Sequence, residues 1–393
     1  MYEIHLILMI IGGLLLLSIF LSRFSSRIGI PSLIIFLFIG LIFDASNILP
    51  PNLHNFQLVQ YLSTFALIII MFSGGMNTDY KVIKPIAKQG ISLATVGVVI
   101  TAFSIGILIH LIFNFDLMLC LLLSAIISST DGAAVFSIFG ASDIKIKHNL
   151  DHILELESAT NDPVAYILVS SIMFMLITPT VSTIDFIVIF IKSIILGGIG
   201  GYVLGRLFAW ILKHIRLSVE GLYPPLLFAM AILSFSIVEA IGGNGFLSVF
   251  ICALIVGNSE IKHKENQLSF FDGLSWLMQI LMFLLLGVFT APNELVPMIV
   301  PAITVSIILT FVARPLAVFV SLLPFRMGFK PKLFLAWSGI KGAVPIVFAF
   351  YPLVAGIPEA TMIFDIVMII TFISVIIHGT SIKFVAKHLG LLE

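Results

Sequence analysis

Apolar residues along this chain come in long unbroken runs, with polar residues gathered into short clusters between them. A run of about 20 apolar residues is the length at which a helix crosses the hydrocarbon core of a bilayer. Such runs predict spans near 3–22, 28–48, 57–77, 83–113, 117–140, 148–176 and 183–212. A second set follows near 218–241, 245–259, 267–290, 296–324, 331–354 and 360–387. The predicted fold is an all-α polytopic membrane protein of about 13 transmembrane helices. Connections are short, and no soluble domain fits between the spans. The chain ends at Glu393, just after the last run, which leaves no room for a regulatory tail.

Composition sharpens this picture. Hydrophobic residues make up 60% of the chain and charged residues 10%, with a mean hydropathy of +1.20. A soluble chain would carry roughly a quarter of its residues charged. Phenylalanine contributes 35 residues against 20 for lysine and arginine together, so the outer surface must face lipid. Cys120 and Cys252 lie inside apolar runs, where a disulfide framework is implausible. The first run has no basic leader and no small-residue cleavage site, and reads as a retained helix. Zero net charge argues against a nucleic-acid partner.

Basic residues test the span count, because cytoplasmic loops carry an excess of lysine and arginine. With spans alternating sides, Arg23, Arg27, Lys81, Lys84, Lys88, Lys145, Lys147, Lys213 and Arg216 all fall on one face. So do Lys262, Lys264, Arg326, Lys330, Lys332, Lys383 and Lys387. The opposite loops near 45–56, 177–182, 291–295 and 355–359 contain no lysine or arginine. The expected orientation therefore puts the N-terminus outside and the C-terminus in the cytoplasm of a cell that holds the chain in its cytoplasmic membrane. Arg206 is placed to snorkel from the last turns of span 7, while Lys192 in its outer half has no ready account.

Other charges fall where lipid makes them costly. A charge near the bilayer centre costs at least a few kcal/mol and persists mainly when paired or functional. Arg314 and Lys341 lie near the middle of spans 11 and 12, Asp131 in span 5, and Glu155, Glu157 and Asp162 in span 6. Ser158 and Asp162, four residues apart, share a helix face, with Glu155 below them; Glu157 and Asn161 form the next stripe. Spans 5 and 12 read as broken, through Ser128-Ser129-Thr130-Asp131-Gly132-Ala133 and Ser338-Gly339-Ile340-Lys341-Gly342-Ala343-Val344-Pro345. Unwound backbone at that depth is tolerated only where it is buried or lines a cavity. Six spans precede span 7 and six follow it from the opposite side, an inverted repeat in which span 5 matches span 12. Matched interrupted helices point to a transporter site.

Each charge also has a plainer reading. Glu157 and Arg314 could brace two helices rather than touch an ion. Lys341 could offset the dipoles of the half-helices, and Asp131 could share that work or bind. Asn161-Asp162-Pro163 carries more polarity than bracing needs. His378 reads as a packed polar residue, and Glu239, Asp272 and Asp365 as residues near span ends with no special role. Gly197, Gly201 and Gly205 read as a helix-packing face.

The strings at 128–137 (Ser-Ser-Thr-Asp-Gly-Ala-Ala-Val-Phe-Ser) and 155–165 (Glu-Leu-Glu-Ser-Ala-Thr-Asn-Asp-Pro-Val-Ala), with Arg314-Pro315 and Gly339–Pro345, closely resemble the monovalent cation:proton antiporter family of the NhaP type. The likeness runs through the whole membrane region in order. It implies that Asp162 binds cation or proton with Asn161 as its partner. Thr130 through its backbone, Asp131 and Ser158 would complete the ion site, and Glu157 would pair with Arg314. It implies a homodimer in which a core domain, about 83–176 and 296–387, moves against a dimerisation domain, about 1–77 and 218–290. A linker helix, about 183–212, joins them. The Asn-Asp form of the motif is associated with one-for-one, electroneutral exchange, and members with this variant are often potassium/proton antiporters with cytosolic regulatory domains. On that pattern this chain is a short member or a transport unit without its tail. No cofactor is expected.

Physics supplies a mechanism for such a site. A desolvated carboxylate holds a proton or a cation but not both, and that competition is itself a coupling rule. Oxygen ligands from Thr130, Asp131, Ser158 and Asp162 suit a hard monovalent cation. Three rivals remain: a passive channel, a sodium-coupled symporter of an organic anion, and an intramembrane aspartyl protease built on Asp131 and Asp162. The last lacks a Gly-x-Gly-Asp string.

Overall fold

A computed structural model describes residues 2–28, 32–45, 55–131, 146–178, 182–290 and 295–392. Its regular elements are helices, with no strand among the described residues beyond an isolated bridge between Ile146 and Leu392. The first half contains α1 (Tyr2–Ile28), α2 (Ser32–Ala45), α3 (Phe56–Asn77), α4 (Ala87–Phe113), α5 (Leu117–Ile126), α6 (Leu150–Ile177) and α7 (Thr183–His214). The second contains α8 (Tyr223–Ala240), α9 (Gly245–Gly257), α10 (Lys264–Val288), α11 (Val296–Ser321), α12 (Phe329–Trp337), α13 (Ala343–Val354) and α14 (Ala360–His388). Among the described residues, eight helices are long and apolar enough to cross a membrane, and four shorter apolar helices accompany them.

Local chemistry sets several of these ends. Asp116 caps α5 by accepting from the amides of Met118 and Leu119, and Asn244 caps α9 through the amide of Leu247. Ser182 and Asp185 form a reciprocal capping box on α7. Two predicted spans differ from continuous helices. The helix in span 5 stops at Ile126, well short of 140, and the remainder from 132 to 145 lies outside the described residues, Gly132, Ala133 and Lys145 included. Span 12 is two helices, α12 and α13, separated by Ser338–Gly342. The cause is the small-residue run, which packs too little side chain to hold a helix against the polar partners described below.

The helices pack in two sets. In one, α9 lies against α7, α3 and α8, and α10 lies against α2 and α3. Backbones touch there: a Cβ on Gly197, Gly201 or Gly205 would press on Asn244, Ser248 or Cys252 of the α9 region. The glycine string is thus a packing face. Gly40 and Gly287 meet likewise between α2 and α10. In the other set, α5 packs on α4 and α6, and α14 on α11 and α13. Helices α4 and α11 each contain one widened π turn, Leu93–Gly97 and Leu309–Ala313, and they pack together there. The sets meet where α13 packs on α3, and α6 on α7 and α9.

Candidate functional site

The two interrupted helices meet at their breaks. The amide of Asp131, just past the end of α5, donates to the carbonyl of Ile340 between α12 and α13 (2.8 Å). Lys341, 1% exposed, donates from Nζ to the carbonyls of Ser129 (2.7 Å) and Ser128 (3.2 Å). These two carbonyls lie just past the end of α5, where the negative end of the helix dipole favours a cation. The ammonium gives both a hydrogen-bond donor. The Lys341 amide in turn donates to Ser374 Oγ of α14 (2.9 Å). Gly342 has no room for a side chain, because a Cβ there would collide with the carboxylate of Asp131.

Helix α6 brings the remaining polar groups to this crossing. Asn161 Nδ2 donates to Thr130 Oγ1 (2.5 Å), and the hydroxyls of Thr130 and Ser158 lie 3.3 Å apart. Asp162 stands one turn beyond Ser158 on the same face. Asn161 and Asp162 are both buried, and Oδ1 of each has no hydrogen-bond partner among the described residues. A buried oxygen left unpaired costs about 1–3 kcal/mol, and of these two residues it is Asp162 that faces the cavity. Thr130, Asp131, Ser158 and Asp162 line one cavity of about 480 Å³. Neither Arg314 nor Lys341 lines it, and Asn161 stands behind the wall.

Glu157 points away from the cavity and meets Arg314 of α11 at 2.5 Å, with side chains 0% and 5% exposed. Arg314 also donates to the carbonyl of Leu335 near the end of α12 (3.3 Å). One guanidinium thus ties α6, α11 and α12 together. His378 is buried, hydrogen-bonded to Ser374 (3.1 Å) and edge-on to Trp337, the packed polar role its position implies. The Nζ of Lys192 lies beside Gly242, just past the end of α8.

Two acidic residues make contacts that their sequence positions do not imply. Asp272 on α10 accepts from Asn77 (2.6 Å) and Ser73 (3.2 Å) of α3 and lines the cavity opposite Glu155. Glu239 accepts from Tyr166 and from the amide of Gly245. Asp365 lies inside α14 and is buried. Asp272, Ser275 and Gln279 form a polar stripe at i, i+3 and i+7 on one face of α10 that joins the cavity lining. That spacing, continued past the polar first turns of α10 into its apolar stretch, is a sequence signal for a helix that forms part of the wall.

Residues 13–388 match the family described as "Sodium/hydrogen exchanger, transmembrane". The K(+)/H(+) antiporter NhaP of Alkalimonas amylolytica is 38% identical over 391 residues, covering 100% of this chain and 68% of the relative. The K(+)/H(+) antiporter NhaP2 of Shewanella oneidensis is 33% identical over 386 residues, covering 96% and 66%. The chain thus spans about two thirds of the length of these relatives. The sodium proton antiporter MjNhaP1 of Methanocaldococcus jannaschii shares the fold, with a TM-score of 0.84 at 23% identity over 98% of this chain and 100% of that one. A family match across nearly every helix, together with relatives above 30% identity, places the chain among the NhaP-type monovalent cation:proton antiporters of the sodium/hydrogen exchanger family.

Proposed function

We propose that this chain exchanges a monovalent cation, potassium in preference to sodium, for a proton, one for one, across the cytoplasmic membrane. The observation that carries the reading is the buried, unpaired Oδ1 of Asp162 at the end of an open cavity, among the oxygens of Thr130, Ser158 and Asp131. In this reading the cation and the proton compete for Asp162, and the loaded site crosses while the empty, charged site does not. Asn161 holds Thr130 in place for the ion through its amide. Glu157 and Arg314 serve as a brace and Lys341 as compensation for the end of α5. The potassium preference rests on the potassium/proton antiport for which the Alkalimonas and Shewanella relatives are named.

The same reading takes the helices as 13 spans in inverted repeats of six around α7. Matching widened turns in α4 and α11 and matching breaks after α5 and after α12 support it. Basic residues at Lys81, Lys84, Lys262 and Lys264 lie at the same ends of their helices as Asn77 and Asp272, which makes the cavity mouth cytoplasmic. The set containing α4–α6 and α11–α14 would be the moving core, and the set containing α1–α3 and α8–α10 the stationary, homodimerising part, with α7 between them.

The test is dissipation of a preset pH gradient in proteoliposomes on addition of K⁺, Na⁺, Li⁺ or choline. Potassium should give the largest response, choline none, and Asp162→Asn should abolish exchange while the protein stays folded. Cation-driven proton flux retained in folded Asp162→Asn would sink the mechanism.

A further inference from the structure

The cavity follows one face of α6 through Glu155, Ser158 and Asp162 and then stops. The next residue on that face, one turn on, is Tyr166. Its ring is 9% exposed and packs edge-on against Phe246 of α9 (centroids 5.0 Å) and Tyr351 of α13 (5.5 Å), and tilted against Phe348 (5.9 Å). The route from Asp162 to the side away from the cavity mouth is therefore filled by aromatic rings.

Three hydrogen bonds fasten that plug from one helix set to the other. Tyr166 of α6 donates its hydroxyl to Glu239 Oε1 of α8 (2.9 Å), whose Oε2 accepts from the amide of Gly245 at the start of α9 (3.0 Å). The hydroxyl of Tyr351 on α13 pairs with Thr64 of α3 (3.0 Å). Asn244 donates from Nδ2 to the carbonyl of Pro163 (2.6 Å), beside Asp162. No ring in the plug needs these polar atoms for its packing; tyrosine in place of phenylalanine at 166 and 351 adds only the hydroxyl that crosses the seam.

We infer that Tyr166 and Glu239 form a latch that holds the route to Asp162 shut on the side opposite the cavity, and that the latch must open in each transport cycle. This rests on the alternating-access reading above. When α6 and α13 move against α3, α8 and α9, the Tyr166–Glu239 and Tyr351–Thr64 bonds break together, because both span the moving seam. The freed Glu239 carboxylate then lines the newly opened route, in the place that Asp272 holds at the present mouth. The strength of the latch sets how the resting protein divides between its two facings.

Tyr166→Phe keeps the ring and removes only the donor. A hydrogen bond that is lost in one of two states shifts their ratio by about tenfold. Two measurements on the full chain test this. Amide hydrogen exchange on the purified protein should rise at 240–248 and 160–168 in Tyr166→Phe and in Glu239→Gln, with α2 and α10 unchanged; unchanged exchange at those segments overturns the latch. Right-side-out and everted vesicles should show the apparent KM for K⁺ falling on the outer face relative to the cytoplasmic face by about tenfold in Tyr166→Phe. An unmoved ratio in a variant that still transports, or a shift the other way, also overturns it. Loss of protection in the variants beside a wild-type protein that fails to exchange cations for protons would support the latch and remove the antiport reading instead.

Discussion

Glu157 and Arg314 are both out of reach of solvent and meet each other directly. Desolvating two charges costs several kcal/mol for each ion, and their attraction returns it only when both are present. Removing one partner strands the other, at a cost of about 3–5 kcal/mol. Glu157→Ala and Arg314→Ala should each lower the thermal unfolding midpoint in detergent markedly, and the double variant should cost less than the sum of the two. Midpoints equal to wild type in both single variants would show that the pair is no brace. At this scale the sequence exposes which residues are out of place in lipid, because a mid-membrane carboxylate or guanidinium is conspicuous in any apolar run. Partners are another matter. Nothing in spacing links α6 to α11; the pairing of Glu157 with Arg314 can be offered as a brace between two misplaced charges and is implied by the family resemblance, but spacing alone does not select it. Tyr166 and Glu239 are illegible for a different reason: a lone tyrosine inside a span, or a glutamate near a span end, looks the same in sequence whichever neighbour it faces.

Between helices, the informative contact is the crossing of the breaks after α5 and after α12. Small residues, glycines and a proline make both breaks legible in the sequence, since they remove the side-chain packing and backbone donors that a continuous helix needs. Their relative position was not legible, because it depends on which carbonyls Lys341 reaches. Gly342 shows how tight the crossing is. Its missing side chain leaves the space that the Asp131 carboxylate occupies. Gly342→Ala should therefore displace Asp131 and depress exchange at least tenfold, while Gly339→Ala, which meets the guanidinium of Arg314 instead, should act mainly on stability. Wild-type exchange in folded Gly342→Ala would show that the position of Asp131 does not matter to transport.

Across the whole molecule, charge bookkeeping gives a separate prediction. A single carboxylate that carries either one monovalent cation or one proton presents the same net charge in both loaded forms. A membrane potential then does the same work on each crossing, and the two contributions cancel over a cycle. Exchange in proteoliposomes should run at the same rate with the potential clamped at zero or at −100 mV; a rate that follows the potential would refute one-for-one exchange. Here too the division between sequence and structure is physical. Apolar runs and basic loops reflect lipid and translocation, which act on each segment alone. The cavity reflects how α3, α6 and α10 are brought side by side, and only the polar stripe of α10 hinted at that.

The contacts at the helix crossing have one more consequence. Asp131 is bonded to Ile340, Lys341 to Ser128 and Ser129, and Asn161 to Thr130, so the pieces that carry the proposed ligands are fastened to one another by the protein itself. If the core moves as proposed, such a cassette would travel without being rebuilt, and an ion would meet the same coordination geometry from either compartment. Intrinsic preference for one cation over another would then be identical on the two faces. On that reading the protein has no built-in arrow: it would be a reversible valve whose direction the cell sets, from moment to moment, by whichever gradient is steeper.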